Sequence, residues 1–368
     1  MTPPHRLLVL SLAGIGNSLL ATPMLHRLKE TFPSAKVSLL VMFEGSAQVL
    51  RYNPFVDEIL LWNFLERGIG NSLLFLWGLR QRRFDWVLHT YPANRKAYNL
   101  VGTLLGGRRQ IGHAYRHDNL RNFNFLKGRA LLEDESLHDA EENLRLLEFL
   151  GIKTSSPISL ELYLSKEEEA FAEAWLLERG LPGKKLIGFH IGSGLLKNHI
   201  RRRWPAERFA KVADALAQKE GVEILLLGGK EDEEVNHRCA QVMKAKPHLV
   251  SGLHFLKSAA LLARCHLLIT NDSALMHAAA ALQVPTVAIF GPTNPTYVRP
   301  LQSRYRIVRK DLPCSPCFFY SRRPLRCYRP ERDYACLNWI EPEEVLEAAF
   351  SLLREKREAG RDVSCGSD

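Results

Sequence analysis

The 368-residue sequence lacks any apolar run that approaches the roughly 18–20 residues required by a membrane-spanning helix. It also lacks a secretory signal, because the apolar stretch Leu7–Leu12 leads directly into a glycine turn without a small-residue cleavage pattern. No internal repeat or low-complexity tract is present, and only the small, polar C-terminal residues from Gly360 onward are expected to be disordered. These absences predict a cytoplasmic protein that touches a membrane peripherally at most.

The charge balance points to an anionic partner. There are 50 Lys and Arg against 40 Asp and Glu, a net charge of +10, which suits nucleic acid, a phosphorylated substrate or an acidic membrane surface. A nucleic-acid-binding protein is one hypothesis, prompted by this charge and by the Arg-plus-aromatic segment Phe318–Tyr328. However, no RNA-binding signature is recognisable, so nucleic acid is not the expected partner.

Short apolar runs alternate with helical stretches in both halves of the chain. The predicted strands are Arg6–Leu12, Lys36–Phe43, Val56–Trp62 and Asp85–His89 in the first half, and Lys185–His190, Val222–Leu227, His266–Thr270 and Pro285–Phe290 in the second. The predicted helices include Ser18–Glu30, Asp139–Leu150, Pro205–Lys219, Asp272–Leu282 and Glu341–Arg354. Such alternation predicts parallel sheets covered on both faces.

The fold class predicted is therefore α/β, with two Rossmann-like, doubly wound domains. A Lys-, Thr-, Ser- and Pro-containing break at Gly151–Ser159 separates them. We expect a first domain over 1–155 and a second over 156–340. A C-terminal helix over 341–357 is expected to pack back toward the first domain, with a flexible tail at 358–368.

Three loops after predicted strands carry the chemistry, and the first contains Gly14–Ile15–Gly16–Asn17. A glycine turn between a strand and a helix lets backbone amides approach negative charge. It could begin a dinucleotide fingerprint, for which Glu44 is the only support, but Leu19 occupies the third glycine position, so a nicotinamide enzyme is not favoured. A tight turn without a ligand is the other interpretation.

The second loop is His190–Ile191–Gly192–Ser193–Gly194, followed by Lys197, Arg202 and their basic neighbours. Small residues, a hydroxyl and cations after a strand suit a diphosphate, although a mobile basic loop would have the same composition. The GK[ST] ending of a P-loop is missing.

The third loop, Asn271–Asp272–Ser273–Ala274, opens a helix that contains His277. With Asn271 or Asp272 as its cap, the first amides of this helix would face the open end of a parallel sheet, where an α/β protein binds ligands. His277 is either part of that site or a packed core residue.

Four of the seven cysteines crowd into one segment: Cys314, Cys317, Cys327 and Cys336. In a reducing cytosol they are not expected to form disulfides. The first pair has metal-ligand spacing, so the four thiolates could hold a structural zinc or iron ion. Reduced thiols bracing an irregular loop are the alternative.

These blocks together resemble glycosyltransferase family 9, the lipopolysaccharide heptosyltransferases. The match runs from Gly14–Asn17 through His190–Ser193 and Arg203–Trp204–Pro205 to Asn271–Ser273 and Phe290–Gly291–Pro292–Thr293. The resemblance implies an inverting transferase of GT-B architecture. It would move heptose, or a related sugar, from ADP-heptose to a lipopolysaccharide inner-core or related acceptor, without a catalytic metal.

The resemblance also implies roles for individual residues. The donor would be bound by Ser193, Lys197, Arg202, Glu231, Asp232, Asp272, Ser273, Ala274 and His277, with Glu231 and Asp232 near the ribose. The acceptor would lie beside Gly16 and Asn17 in the first domain, whose basic residues would suit phosphates and the anionic cytoplasmic face of the inner membrane.

One departure concerns the general base. Many members carry an aspartate at the position of Asn17, and an amide cannot take up a proton at neutral pH. Asn17 is therefore expected to orient the acceptor, with His26, His89 or Asp85 as distant candidates for the base. A non-catalytic nucleotide-sugar-binding protein is the alternative function.

Overall fold

The computed structural model describes residues 3–106, 109–154, 159–194, 196–318 and 324–362. The chain divides into two units between Tyr163 and Leu164, later than the predicted boundary at 155. Hydrogen bonds explain the shift. The Glu161 amide donates to Thr22 Oγ1, and its carboxylate bonds to His26. The segment after the predicted linker thus belongs to the first unit.

The first unit contains a six-stranded parallel sheet in the order β3-β2-β1-β4-β5-β6. Its strands are β1 (Arg6–Ser11), β2 (Lys36–Val41), β3 (Glu58–Leu61), β4 (Trp86–His89), β5 (Gln110–Ala114) and β6 (Arg129–Leu132). Its helices are α1 (Ile15–Leu20), α2 (Thr22–Thr31), α3 (Glu44–Val49), α4 (Ile69–Arg80), α5 (Lys96–Gly106) and α6 (Asp139–Arg145).

Two helix predictions for this unit were wrong in their extent. The stretch predicted as one helix is divided at Ala21 into α1 and α2. Pro23 lies in the first turn of α2, where its missing N–H costs no hydrogen bond, whereas inside a longer helix it would break one. Gly14, not Asn17 or Ser18, caps α1. After α6 the chain tightens into a 3₁₀ helix, Leu146–Leu150.

The second unit repeats the plan with the order β12-β11-β10-β7-β8-β9. Its strands are β7 (Leu186–His190), β8 (Glu223–Leu227), β9 (His248–Val250), β10 (Leu267–Asn271), β11 (Thr286–Ile289) and β12 (Tyr305–Val308). Its helices are α7 (Lys166–Leu177), α8 (Ala206–Glu220), α9 (Glu233–Val242), α10 (Phe255–Ala263), α11 (Ala274–Ala281), α12 (Pro295–Val298), α13 (Ala335–Asn338) and α14 (Pro342–Asp362).

All strand pairs of both sheets are parallel, and the central strands are buried along their length. Strands buried on both faces read as continuous apolar runs, which explains why the sequence revealed them. The prediction of an α/β fold with two doubly wound sheets is confirmed.

The C-terminal helix α14 belongs to the second unit. Its buried residues Val345, Ala349 and Leu352 join the apolar core of that unit, which also contains Phe209 of α8; the expected packing of this helix toward the first domain stays a prediction. These apolar residues recur every three or four positions and therefore lie on one face of the helix. That face packs against the core of the second unit. The helix continues to Asp362, past the predicted end at 357, and residues 363–368 of the predicted tail lie outside the described residues.

No helix within the described part of the chain is both long and apolar enough to cross a membrane.

Candidate functional site

In the second unit the central strand β7 has β10 on one side and β8 on the other. The connections from these strands leave in opposite directions, so a crevice forms beyond their carboxyl ends. Open α/β sheets bind their ligands at such a point. His190 ends β7 and Asn271 ends β10, which places the second and third predicted loops side by side.

Arg202 and Asp272 connect the two loops. Arg202 Nη1 donates to Asp272 Oδ2 at 2.6 Å, and Nη2 lies 2.8 Å from His199 Nδ1. Burial alone would raise the pKa of the Asp272 carboxyl, but the neighbouring Arg202 charge outweighs it and lowers that pKa. The buried Arg202 Nε has no hydrogen-bond partner in the described structure, so one guanidinium donor remains for a ligand oxygen.

A second chain of contacts runs from Asp232 to Ser273. His190 Nε2 lies 3.3 Å from Asp232 Oδ2, and His190 Nδ1 lies 2.9 Å from Ser273 Oγ. Burial works to raise the pKa of Asp232, but the hydrogen bond and charge of His190 and the charge of Arg203 lower it. The buried Asp232 carboxylate therefore orients His190 and Arg203, while its predicted contact with the ribose stays a prediction.

Arg203 holds the Gly-Ser loop in place. Its Nη2 donates to the Ser193 carbonyl at 2.8 Å and to Asp232 Oδ1 at 2.9 Å, while Nε donates to Ser193 Oγ at 3.2 Å. The sequence motifs predicted a donor-binding role for Arg202 but none for Arg203 or His190. The position of His190 at a strand end and of Arg203 before Trp204 could have suggested a site role. Their shared partner Asp232, however, lies 29 residues beyond Arg203 and could not be assigned from the sequence.

Two glycines make room for the Asp232 carboxylate. A Cβ atom at Gly192 would lie 2.1 Å from Asp232 Oδ1, and one at Gly228 would lie 2.7 Å from Asp232 Cβ. Neither position admits a side chain unless Asp232 moves. The glycines therefore let two strand ends close around one buried acid.

Ser273, not Asn271 or Asp272, occupies the N-cap of α11. The Asn271 amide group is committed elsewhere, because Oδ1 accepts from the Trp204 amide and Nδ2 donates to the Ile191 carbonyl. The Ser273 hydroxyl bonds to His190 and does not cap the helix amides. The free N–H groups at Ala274 and the next residues give this helix start the partial positive charge that suits a phosphate.

The other predicted donor residues differ in placement. His277 is buried in α11, and its charge contributes to lowering the pKa of Asp272, so it supports the site from within the fold. Glu231 is exposed in the 3₁₀ turn Lys230–Asp232 and stays the candidate for a ribose contact. Lys197 lies in the 3₁₀ helix Leu196–Arg202, and its side chain lies outside the described residues.

In the first unit, Gly16 and Asn17 lie in α1, directly after the carboxyl end of β1. This strand lies between β2 and β4, so its end is again a switch point. Ser18 anchors the turn, since its Oγ lies 2.9 Å from Ser11 Oγ. Asn17 remains half-exposed there, a position suited to orienting a bound hydroxyl.

Two of the three alternative bases, Asp85 and His89, are poorly placed to accept a proton at that edge, whereas His26 stays a candidate. Asp85 accepts from the His5 and Arg6 amides at the amino end of β1, about 20 Å from the carboxyl end at ~3.3 Å per residue. His89 is fully buried, and burial lowers its pKa to about 3. His26 stacks on Phe55.

A carboxylate that the sequence did not single out follows β6. Glu133 Oε2 accepts from the Tyr91 hydroxyl at 3.0 Å, and Oε1 accepts from the Arg116 amide at 2.6 Å. Burial raises its pKa. Glu133 thus holds the loops after β4 and β5 together at the same edge as Asn17.

All four candidate metal-ligating cysteines, Cys314, Cys317, Cys327 and Cys336, line one small cavity of about 20 Å³. Burial raises the pKa of the Cys336 thiol to about 12, and burial and the neighbouring thiols raise the pKa of Cys317. In the described part of the chain, no three His, Cys, Asp or Glu residues are arranged to hold a metal ion.

Known proteins match the chain over most of its length. The profile of glycosyltransferase family 9 (heptosyltransferase) matches residues 75–327. Lipooligosaccharide heptosyltransferase 2 of Campylobacter jejuni is 35% identical over 178 residues, 47% of this chain and 52% of that protein. The chain thus spans about half the length of this relative.

Two further similarities cover nearly the whole chain. Lipopolysaccharide heptosyltransferase 3 of Escherichia coli is 26% identical over 357 residues, 92% of this chain and 96% of that protein. The crystal structure of a family 9 glycosyl transferase from Veillonella parvula superposes with a TM-score of 0.77 at 27% identity, covering 95% of this chain and 97% of that one.

Proposed function

This chain belongs to glycosyltransferase family 9, and we propose that it transfers heptose, or a related sugar, from ADP-heptose to a lipopolysaccharide inner-core or related acceptor. The observation that carries the proposal is the cradle at the carboxyl ends of β7 and β10. There Arg202 has an unsatisfied buried donor, and the α11 N-terminus begins at Ala274. Together they supply positive charge and N–H groups for a diphosphate.

The cradle would stabilise the departing nucleoside diphosphate. As the glycosidic bond to phosphate breaks, negative charge grows on the leaving oxygens. The Arg202 guanidinium is held by Asp272 and the α11 amides are held by the helix backbone, so little reorganisation is needed as charge develops. This role requires no catalytic metal. Inversion at the anomeric carbon would follow from direct attack by an acceptor hydroxyl.

The acceptor would bind the first unit beside Gly16 and Asn17. The Asn17 amide can donate or accept a hydrogen bond with the attacking hydroxyl but cannot remove its proton at neutral pH. We infer that the hydroxyl proton is lost late, to solvent water, after the bond to the leaving group has lengthened. We infer that the acceptor is presented at the anionic cytoplasmic face of the inner membrane, where the basic residues of the first unit would be in peripheral contact with the surface.

Thermal unfolding tests the donor assignment. With ADP-heptose at about a hundred times its dissociation constant, the free energy of unfolding should rise by about 2.7 kcal/mol and the melting temperature by a few degrees. UDP-, GDP- and CMP-sugars at the same concentrations are the controls. A shift in melting temperature with another nucleotide sugar would contradict ADP-heptose as the donor but would still support the diphosphate-binding cradle. The absence of a shift with any nucleotide sugar would contradict both.

We further propose that the four-cysteine cavity binds a structural zinc or iron ion once its thiols are deprotonated. The support is chemical: four cysteine sulfurs line one small cavity, although the described structure does not arrange them as a ligand set. A bound cation would stabilise the thiolate forms that burial disfavours. Metal analysis of protein purified without chelators should find about one ion per chain, lost together with thermal stability in Cys314→Ser/Cys317→Ser. Metal-free protein of unchanged stability would contradict the proposal.

A further inference from the structure

The outer face of α4 is apolar although the helix lies on the surface of the first unit. Ile69, Leu73, Leu74 and Trp77 are between 52% and 82% exposed. The inner face buries Leu76 and other residues against the sheet. A surface helix of a soluble domain usually has a polar outer face, and a helix that is apolar all round requires a covering partner.

The exposed apolar surface continues onto α5. Leu100 and Leu104 lie one turn apart there and are exposed. The two helices are joined, because Arg80 Nη1 at the end of α4 donates to the Leu104 carbonyl at 2.7 Å. Of the seventeen exposed large hydrophobic residues in the described structure, eight fall within residues 61–104, so this exposure is concentrated in one region.

The chain segment that carries this surface is rich in positive charge, although Arg82 is paired with Glu58 and Glu66 directly precedes the segment. Residues 67–109 contain eight Lys and Arg and one acidic residue, Asp85. The Asp85 carboxylate accepts hydrogen bonds from the His5 and Arg6 backbone amides at the amino end of β1. Arg83 and Lys96 are exposed. This segment alone supplies seven of the ten net positive charges of the chain.

We propose that the α4–α5 patch, formed by Ile69, Leu73, Leu74, Trp77, Leu100 and Leu104, docks onto an anionic lipid bilayer. Apolar side chains would enter the acyl boundary while the surrounding cations face acidic headgroups. Trp77 is a residue type enriched at that depth. A second copy of this chain fits the patch less well, because self-association would bring two strongly cationic rims together.

The inference deepens the proposed function and rests on it in one respect, since a lipid-linked acceptor explains why the acceptor-side unit carries the patch. Docking would hold the first unit, which contains Asn17, at the membrane surface that presents the acceptor. Binding to lipid is nevertheless measurable without donor or acceptor, so the two ideas can fail separately.

Co-sedimentation with vesicles tests the docking surface. The full chain should bind vesicles of phosphatidylglycerol and phosphatidylcholine, with binding falling as salt rises, and should bind pure phosphatidylcholine vesicles much more weakly. Leu74→Ser/Trp77→Ser should weaken binding by about tenfold or more, because two large apolar side chains no longer insert. Arg83→Gln/Lys96→Gln should weaken it by about tenfold, selectively for anionic vesicles.

The matched control is Leu177→Ser/Val242→Ser, which removes two exposed apolar side chains from α7 and α9 of the second unit and should leave vesicle binding unchanged. The melting-temperature shift with ADP-heptose is measured on every variant. If the wild-type protein does not bind anionic vesicles, or if Leu74→Ser/Trp77→Ser binds them as well as the wild type does, the proposed docking surface is contradicted even when donor binding is intact. A wild-type dimer that Leu74→Ser/Trp77→Ser makes monomeric, without any vesicle binding, would assign the patch to a second copy.

Discussion

Replacing Arg202 with alanine should lower kcat/KM for sugar transfer by about 10²–10³-fold, the effect of removing one fixed donor from a charge-stabilising site. Arg202 is 15% exposed at its side chain, bonds Asp272 Oδ2 at 2.6 Å and retains a buried unsatisfied Nε. Its loss removes both the diphosphate contact and the partner of a buried carboxylate. Initial rates with ADP-heptose, normalised to folded protein by circular dichroism, measure the effect.

Two controls separate catalysis from folding. Arg202→Ala/Asp272→Asn removes the unpaired carboxylate, so its stability should recover while its activity stays low. Arg208→Ala removes an arginine from α8 whose side chain bonds Glu341 and the Ile340 carbonyl, neither of which belongs to the cradle, and should leave kcat/KM within about twofold of wild type. Activity of Arg202→Ala close to that of Arg208→Ala would contradict the cradle.

Asn17→Asp should raise kcat by tenfold or more, because positioned general-base catalysis contributes about 10²–10⁴-fold in enzymes. The substitution keeps the size of the side chain and restores the aspartate that many family members carry at this position. Asn17 is half-exposed at the end of β1, so a carboxylate there stays solvated and can accept a proton. Steady-state rates against acceptor concentration measure kcat.

Donor affinity provides the internal control, since Asn17 lies in the first unit and the donor cradle in the second. The dissociation constant for ADP-heptose should be the same in both proteins. Tight donor binding with no turnover in wild type, and turnover in Asn17→Asp, would identify the natural protein as a non-catalytic binder. An unchanged or lower kcat in Asn17→Asp would show that position 17 is not the position of the general base in this protein.

The sequence predicted the central strands well, because each is buried on both faces and reads as an apolar run. Leu186–His190 and Glu223–Leu227 lie within one residue of their predicted bounds. The strand Gln110–Ala114 was missed because two of its five residues are polar. In the structure Gln110 bonds to His89, and His113 bonds to Glu142, so these polar groups are satisfied by partners remote in sequence.

The same reason limits prediction of the site. Strand ends and glycine loops identified Ser193, Arg202 and Ser273 as neighbours, since parallel strands bring their carboxyl ends to one edge. Nothing local assigned Asp232 to Arg203 and His190, because that contact forms only when β7 and β8 pair. Residues that touch the ligand could thus be proposed from motifs, whereas residues that hold them in place required the fold.

The most direct measurement is sugar transfer itself. The purified chain is incubated with ADP-heptose and a heptose-deficient lipopolysaccharide core, with ADP release followed over time and the product analysed by mass and by NMR of the new linkage. The account predicts one heptose added per acceptor, with the anomeric configuration opposite to that of the donor and no requirement for divalent metal. Donor binding without a glycosylated product, or a product of retained configuration, would contradict it.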